Sequence, residues 1–356
     1  MDPVAHTLVG AALAETGLKR VSRYATATLL IGANLPDVDG IASFWGSDTA
    51  LYLRRGWTHG VLGLLVLPLL LAGVMWLWNR WRGQSRSDPP AFHMKAVIAL
   101  SFLSVWSHPV LDWLNTYGVR LLMPFDGRWF YGDTLFIVDP WVWLLAAAGV
   151  VLARSQSRLA LAGWIVLAAA GTTLVMRADV HPWVEATWLA AVAALVALRW
   201  RLRSSASGVP TARAGLATLV LYICVAYGLA RVAENAVANR FAAPLDVQAS
   251  SLPGEPFSHR VVVVHEDRYR VVESNGEVWE LPREQPDTIV KAALELDSIR
   301  GFANWTRYPY WRVQETPENW IVRFWDLRYH NPDEPSRRIG TAVVEIPKSR
   351  FPELAK

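Results

Sequence analysis

Six apolar runs dominate the first two thirds of the chain, at about residues 59–79, 94–113, 136–153, 159–176, 183–199 and 213–231. Each is long enough, or nearly so, to cross a hydrocarbon core of roughly 30 Å, which takes about 20 helical residues. Two shorter apolar stretches precede them, 4–18 and 24–36, joined by the basic turn KRVSR. At ~1.5 Å per residue each covers only about 22 Å, so a short helical hairpin packed among the longer helices is expected. Past residue 244 the pattern changes. HRVVVVHEDRYRVVES holds two β-rich runs around Glu266-Asp267, and NWIVRFWDLRYH alternates ring and polar side chains. DTIVKAALELDS between them carries a capping Asp and helical spacing. The predicted fold is an all-α polytopic membrane bundle of about six spans plus the hairpin over 1–244, followed by a small α+β soluble domain over 245–356. Residues 232–250 read as the connector. The five tryptophans of the tail read as core and sheet-face residues.

Charge sharpens this division. Residues 1–244 carry 20 Lys/Arg against 13 Asp/Glu, whereas 245–356 carry 15 against 18. The pI near 9.3 does not point to nucleic acid, because the excess arginine sits in short loops between apolar runs. Lys19, Arg20 and Arg23 mark one loop; Arg80, Arg82 and Arg86 a second; Arg154 and Arg158 a third; Arg199, Arg201, Arg203 and Arg213 a fourth. With alternating passes all four fall on one side, which the positive-inside rule makes cytoplasmic. The soluble tail is then expected outside the cytoplasm. The one cysteine, Cys224, lies in an apolar run and leaves no disulfide within the chain. The acidic start MDPVAHTLVG lacks a basic n-region, so no cleavable leader is expected.

Ionisable residues in or beside apolar runs are expensive, and they carry the functional signal. They are His6, Asp37, Asp39, Arg54, Arg55, His59, His108 and Asp112, and every one falls at the predicted outer end of its helix. His108 and Asp112, in WSHPVLDWLN, share a helical face at i and i+4 and can reach one cation together. Asp37 and Asp39 sit in the turn NLPDVDG, and His59 opens a span in RRGWTHG. Two or three imidazoles with two or three carboxylates suit zinc, manganese or iron better than calcium or magnesium, which prefer oxygen shells. One or two ions are expected, with Asp112 able to bridge a pair. Of Asp37 and Asp39, one serves as ligand and the other takes a proton from water. Arg54 and Arg55 serve as phosphate-holding groups or as headgroup anchors. Asp139, before Pro140, reads as a helix N-cap.

At these residues the sequence resembles a known family. MDPVAHTLVG, NLPDVD, RRGWTHG, SHPVLDWLNTYG and YGDTLFIVDPW, over about residues 1–145, look like the YdjM-like, LexA-regulated membrane-bound metal-dependent hydrolases. The resemblance implies an inner-membrane protein of bacteria with His6, Asp37, Asp39, His59, His108 and Asp112 as the metal or catalytic set. Asp133 and Asp139 belong to the family pattern without a clear role. The order of ligands is also similar to the helical zinc phospholipase C and P1 nuclease group. Carried over, that likeness puts Asp37 or Asp39, His59, His108 and Asp112 at a first metal, and His6 with Asp112 at a second. The chain lacks a later His…His-x-x-x-Glu set, which leaves a third metal without ligands.

The expected function is metal-dependent hydrolysis of a phosphoester or phosphodiester, on a lipid or lipid-linked substrate reached from the membrane at its outer face. The alternatives are a transporter of protons or metal ions, and a structural or assembly protein stapled by a metal. The tail covers the site or binds a periplasmic protein, and its sequence names no partner.

Overall fold

The computed structural model describes residues 1–83, 90–178, 180–202, 208–333 and 339–350. Arg86 and Arg203, two of the loop arginines, lie outside the described residues. The chain divides into two compact units. The first holds Met1–Val38, Arg55–Ala230 and Ser251–Ser258; the second holds Asp39–Arg54, Arg231–Ser250 and His259–Lys356.

The first unit begins with the expected short hairpin, α1 (Pro3–Glu15) and α2 (Ala25–Gly32). Asp2 caps α1 by accepting from the Val4 and Ala5 amides, with Pro3 at the first helical position. The stretch 24–36 does not stay helical. The chain leaves the α-helix after Gly32, and Leu35–Trp45 coils in 3-10 turns, since Pro36 removes an amide donor and disfavours the α conformation at Leu35. Helix α3 (Ser47–Leu53) belongs to the second unit.

Among the described residues, five helices are long and apolar enough to cross a membrane: α4 (Val61–Arg82), α5 (Met94–Trp113), α7 (Arg158–Arg177), α8 (Pro182–Leu202) and α9 (Gly208–Ala238). The run at 136–153 forms α6 (Pro140–Arg154), which is apolar but only 15 residues long. Its start is set by Asp139, whose carboxylate accepts from the Trp141 and Val142 amides, so residues 136–139 add nothing to its length. Helix α9 also overrides an expectation. It continues to Ala238 through RVAENAVA, which has no Pro or Gly to stop it, so the connector read at 232–250 is mostly helix and strand.

The four basic turns converge at one end of this unit. Arg23 Nη1 donates to the Gly83 carbonyl at 2.7 Å, and Arg213 Nε to the Thr16 carbonyl at 3.1 Å. Buried Glu15 accepts from Lys19 and from Arg154 Nε, the latter at 2.8 Å, while Arg199 reaches Ser155. Alternation of passes predicts this grouping, and the hydrogen bonds realise it.

The strands, most of whose residues belong to the second unit, form two sheets. One has the order β1 (Asp246–Leu252), β2 (Glu255–Val264), β3 (Arg268–Val272), β4 (Val278–Pro282); the other is β5 (Pro309–Glu315), β6 (Asn319–Asp326), β7 (Thr341–Pro347). Val262 pairs with Val271 and Trp320 with Ile346. Helices α10 (Thr288–Leu294), capped by Asp287, and α11 (Arg300–Trp305) lie between the sheets in sequence. Val262, Val264, Val271, Leu281, Tyr308 and Leu327 pack together, and Trp305, Trp320 and Trp325 are buried as the pattern predicts. Arg328 pairs with Asp326 at 2.8 Å, with Trp305 and Tyr329 beside its guanidinium, so the one buried charge is matched by another.

Candidate metal centre

Helix α5 presents His108 and Asp112 on one face near its C-terminal end and continues as a helix through Pro109. Helix α4 begins two residues after His59, which the Gly56 carbonyl holds through its backbone amide. Asp37 follows the break made by Pro36. These four side chains converge: their ligand atoms all lie within 4.8 Å of one another. His59 Nε2 is 3.1 Å from His108 Nε2 and 3.2 Å from Asp112 Oδ2. His108 Nε2 is 3.4 Å from Asp112 Oδ2 and 3.6 Å from Asp37 Oδ1, and His59 Nε2 is 3.9 Å from Asp37 Oδ1. His59, His108 and Asp112 are fully buried, and the Asp37 side chain is 14% exposed.

The donor set fits a cation. His108 Nδ1 lies 2.7 Å from the Ala33 carbonyl, which can only accept, so the proton is on Nδ1 and Nε2 presents a lone pair. Four ligand atoms held at ~2.0–2.1 Å in a tetrahedron stand about 3.3–3.4 Å apart, which falls within the separations just given. Asp37, His59, His108 and Asp112 are therefore a group that can hold a metal ion.

The other oxygen of Asp112 has its own surroundings. Arg55 Nη2 is 2.8 Å from Oδ1, His6 Nε2 is 3.3 Å away, and the Met1 amine also donates to it. His6 stacks on His108, with ring centroids 3.7 Å apart and planes inclined by 15°. Burial, with His108 alongside, lowers the pKa of His6 to about 3 against the pull of Asp112, so the ring is neutral. Arg55 sits at φ 53°, in the left-handed region that non-glycine residues seldom occupy, and this turn brings its side chain inward. There Nη1 donates to Asn115 Oδ1 and the Gly118 carbonyl, and Nη2 to the Met1 carbonyl, with Tyr117 against the guanidinium.

The structure thus brings together six of the sequence-derived candidates: His6, Asp37, Arg55, His59, His108 and Asp112. Asp39 and Arg54 belong to the second unit and are not among the four grouped ligands. Asn115 and the Ala33 carbonyl escape the sequence reading. Asn115 lies just past the end of α5, two residues beyond Trp113, where helical spacing from Asp112 gives no signal, and the Ala33 carbonyl had none either. Asp139 is the N-cap expected of it, and Tyr222 adds a 2.7 Å hydrogen bond to its second oxygen.

The centre falls within the part of the chain that a family model matches. The model of the YdjM inner membrane protein family matches residues 1–180, a stretch that contains every residue of the centre. The uncharacterized protein YfhP of Bacillus subtilis (strain 168) is 22% identical over 125 residues, which cover 35% of this chain and 35% of that protein. The match thus spans about a third of that relative's length. No solved structure matches the chain.

Proposed function

Since the chain belongs to the YdjM inner membrane protein family, we propose that it is a membrane-bound metal-dependent hydrolase. The proposed substrate is a phosphoester or phosphodiester of a lipid or lipid-linked molecule, met at the extracytoplasmic face. One observation carries this reading. Four side chains that can hold a metal ion, from separate segments, meet where α4 begins and α5 ends, and the ends of membrane-length helices are where this reading puts lipid phosphates. The phosphodiester preference leans on the resemblance of the ligand order to the zinc phospholipase C and P1 nuclease group.

A bound divalent ion, zinc in this reading, would polarise a phosphoryl oxygen and make water nucleophilic near neutral pH. The chain's own residues set the stage for it. His108 is fixed in its tautomer by Ala33, and Asp112 is held by Arg55, whose contacts suit positioning better than capture of a substrate anion. Asp37, the ligand with exposure, marks the open side on which substrate and water approach. The soluble tail is proposed to lie outside the cytoplasm; a reporter fused after Lys356 tests this and is expected to be active only there.

A second reading takes the ion as a structural staple, favoured by the full burial of His59, His108 and Asp112. Phosphodiesterase and phospholipid-hydrolysis assays on metal-replete protein decide between them. Turnover that is lost in His59→Ala favours the enzyme. Absence of turnover on every phosphoester, together with a lower Tm on chelation, favours the staple.

A further inference from the structure

Beside Asp37 a groove of about 550 Å³ opens between α1 and α2, walled by Thr7, Leu30, Ile31, Asn34, Leu35 and Val38. Its polar side chains are satisfied locally. Thr7 Oγ1 donates to the Pro3 carbonyl at 2.7 Å and lies 3.2 Å from Asn34 Oδ1, while Asn34 Nδ2 donates to the Leu30 carbonyl at 2.9 Å. What remains facing outward is hydrocarbon, with Ile31 43% and Val38 54% exposed. The groove ends on Asp37, the grouped ligand that is not fully buried. From there it follows α2 back toward Leu30, away from the end of the unit where the metal ligands lie and toward the basic turns. Its wall takes in Leu30 and Ile31 of α2, so the groove accommodates the methylenes nearest a headgroup.

We propose that this groove seats one hydrocarbon chain of a membrane phospholipid, with its phosphate at Asp37 and the metal ligands. The proposal rests on the hydrolase reading above and deepens it by naming the part of the substrate that is recognised. Three observations favour a lipid chain over other occupants. The walls are apolar, the surrounding long helices are of membrane-spanning length, and the groove is continuous with a ligand cluster at headgroup depth. A phospholipid standing in its leaflet presents the same order, phosphate at the interface and chain toward the bilayer centre.

The test uses the full-length, metal-replete protein in phosphatidylethanolamine–phosphatidylglycerol vesicles with a trace of phosphatidylglycerol bearing a diazirine on one acyl chain. After photolysis, peptide mapping should place adducts in residues 30–38 above the level on lipid-facing α8. Ile31→Trp and Val38→Trp, both at exposed positions, should each reduce those adducts at least fivefold while retaining bound metal. Labelling of 30–38 no greater than that of α8, or unchanged in both metal-retaining variants, overturns the proposal. The two readings fail separately. Groove labelling without turnover on any phosphoester removes the hydrolase and leaves a lipid site. Turnover on a chain-free phosphodiester without groove labelling removes the lipid seat and leaves the hydrolase.

Discussion

His108 Nδ1 and the carbonyl oxygen of Ala33 are 2.7 Å apart, which ties the end of α2 to the face of α5 that carries the candidate ligands His108 and Asp112. The contact depends on Gly32. A Cβ there would stand 2.0 Å from Ser104 Oγ and 2.9 Å from Ser104 Cβ, with Leu71 at 3.1 Å. Gly32→Ala should push α2 away and loosen the ring that Ala33 orients. Loss of such an orienting partner typically weakens metal binding about 10–100-fold. Titration against a competing chelator measures it; unchanged affinity would show that α2 does not set the site.

Asp112→Asn and His108→Ala should lose the ion altogether, since each removes one of four converging ligands. His6→Ala should retain one ion per chain, because His6 meets the opposite oxygen of Asp112 and stacks on His108 from outside the group. Elemental analysis of the purified variants reads both. Retention of metal in Asp112→Asn would remove the centre from consideration.

Arg55 is a buried cation whose partners are all acceptors, Asp112 foremost. Arg55→Ala leaves that carboxylate short of its counter-charge, a change that typically costs about 3–5 kcal/mol. Arg55→Lys keeps the charge but not the fork that reaches Asn115, Gly118 and Met1 at once, so it should recover only part of the loss. Thermal unfolding in detergent ranks the three proteins, and a lysine variant as stable as wild type would refute the geometric role.

Burial raises Asp139 to about 6, against the hydrogen bonds from Tyr222 and the Val142 and Trp141 amides that favour its charged form. A carboxyl raised in the folded state contributes stability that is full below its unfolded pKa, near 4, and is lost as pH climbs through about 6. The span is on the order of 3 kcal/mol. Asp139→Asn, which keeps the cap but cannot ionise, should therefore gain in Tm relative to wild type as pH rises from about 4 to 6. Parallel curves would contradict the assignment.

The ligands were legible because a His or Asp inside an apolar run has few other reasons to be there. His6, Asp37, His59, His108 and Asp112 stood out on that ground, and they meet. Arg54 and Arg55 did not separate, being identical neighbours in sequence; a backbone turn at φ 53° sends Arg55 inward, and no local pattern announces it. The long helices were legible by length and apolarity alone. Helix α6 was overcounted because hydropathy runs on through Phe136, Ile137 and Val138, while the Asp139–Pro140 pair decides where the helix starts. Contacts through main-chain atoms, such as Ala33 with His108, leave no trace in side-chain identity.

The four grouped ligands also carry a consequence for biogenesis. All of them lie between Asp37 and Asp112, in the first third of the 356-residue chain, and they straddle a single pair of long helices. The ion-binding loop therefore closes once α5 has entered the bilayer, while most of the protein is still on the ribosome. Nascent chains stalled after about residue 180 should already retain metal, which elemental analysis of the arrested complexes would show. Metal acquisition would then come early in synthesis, a clasp on the first helical pair against which the later helices are laid down.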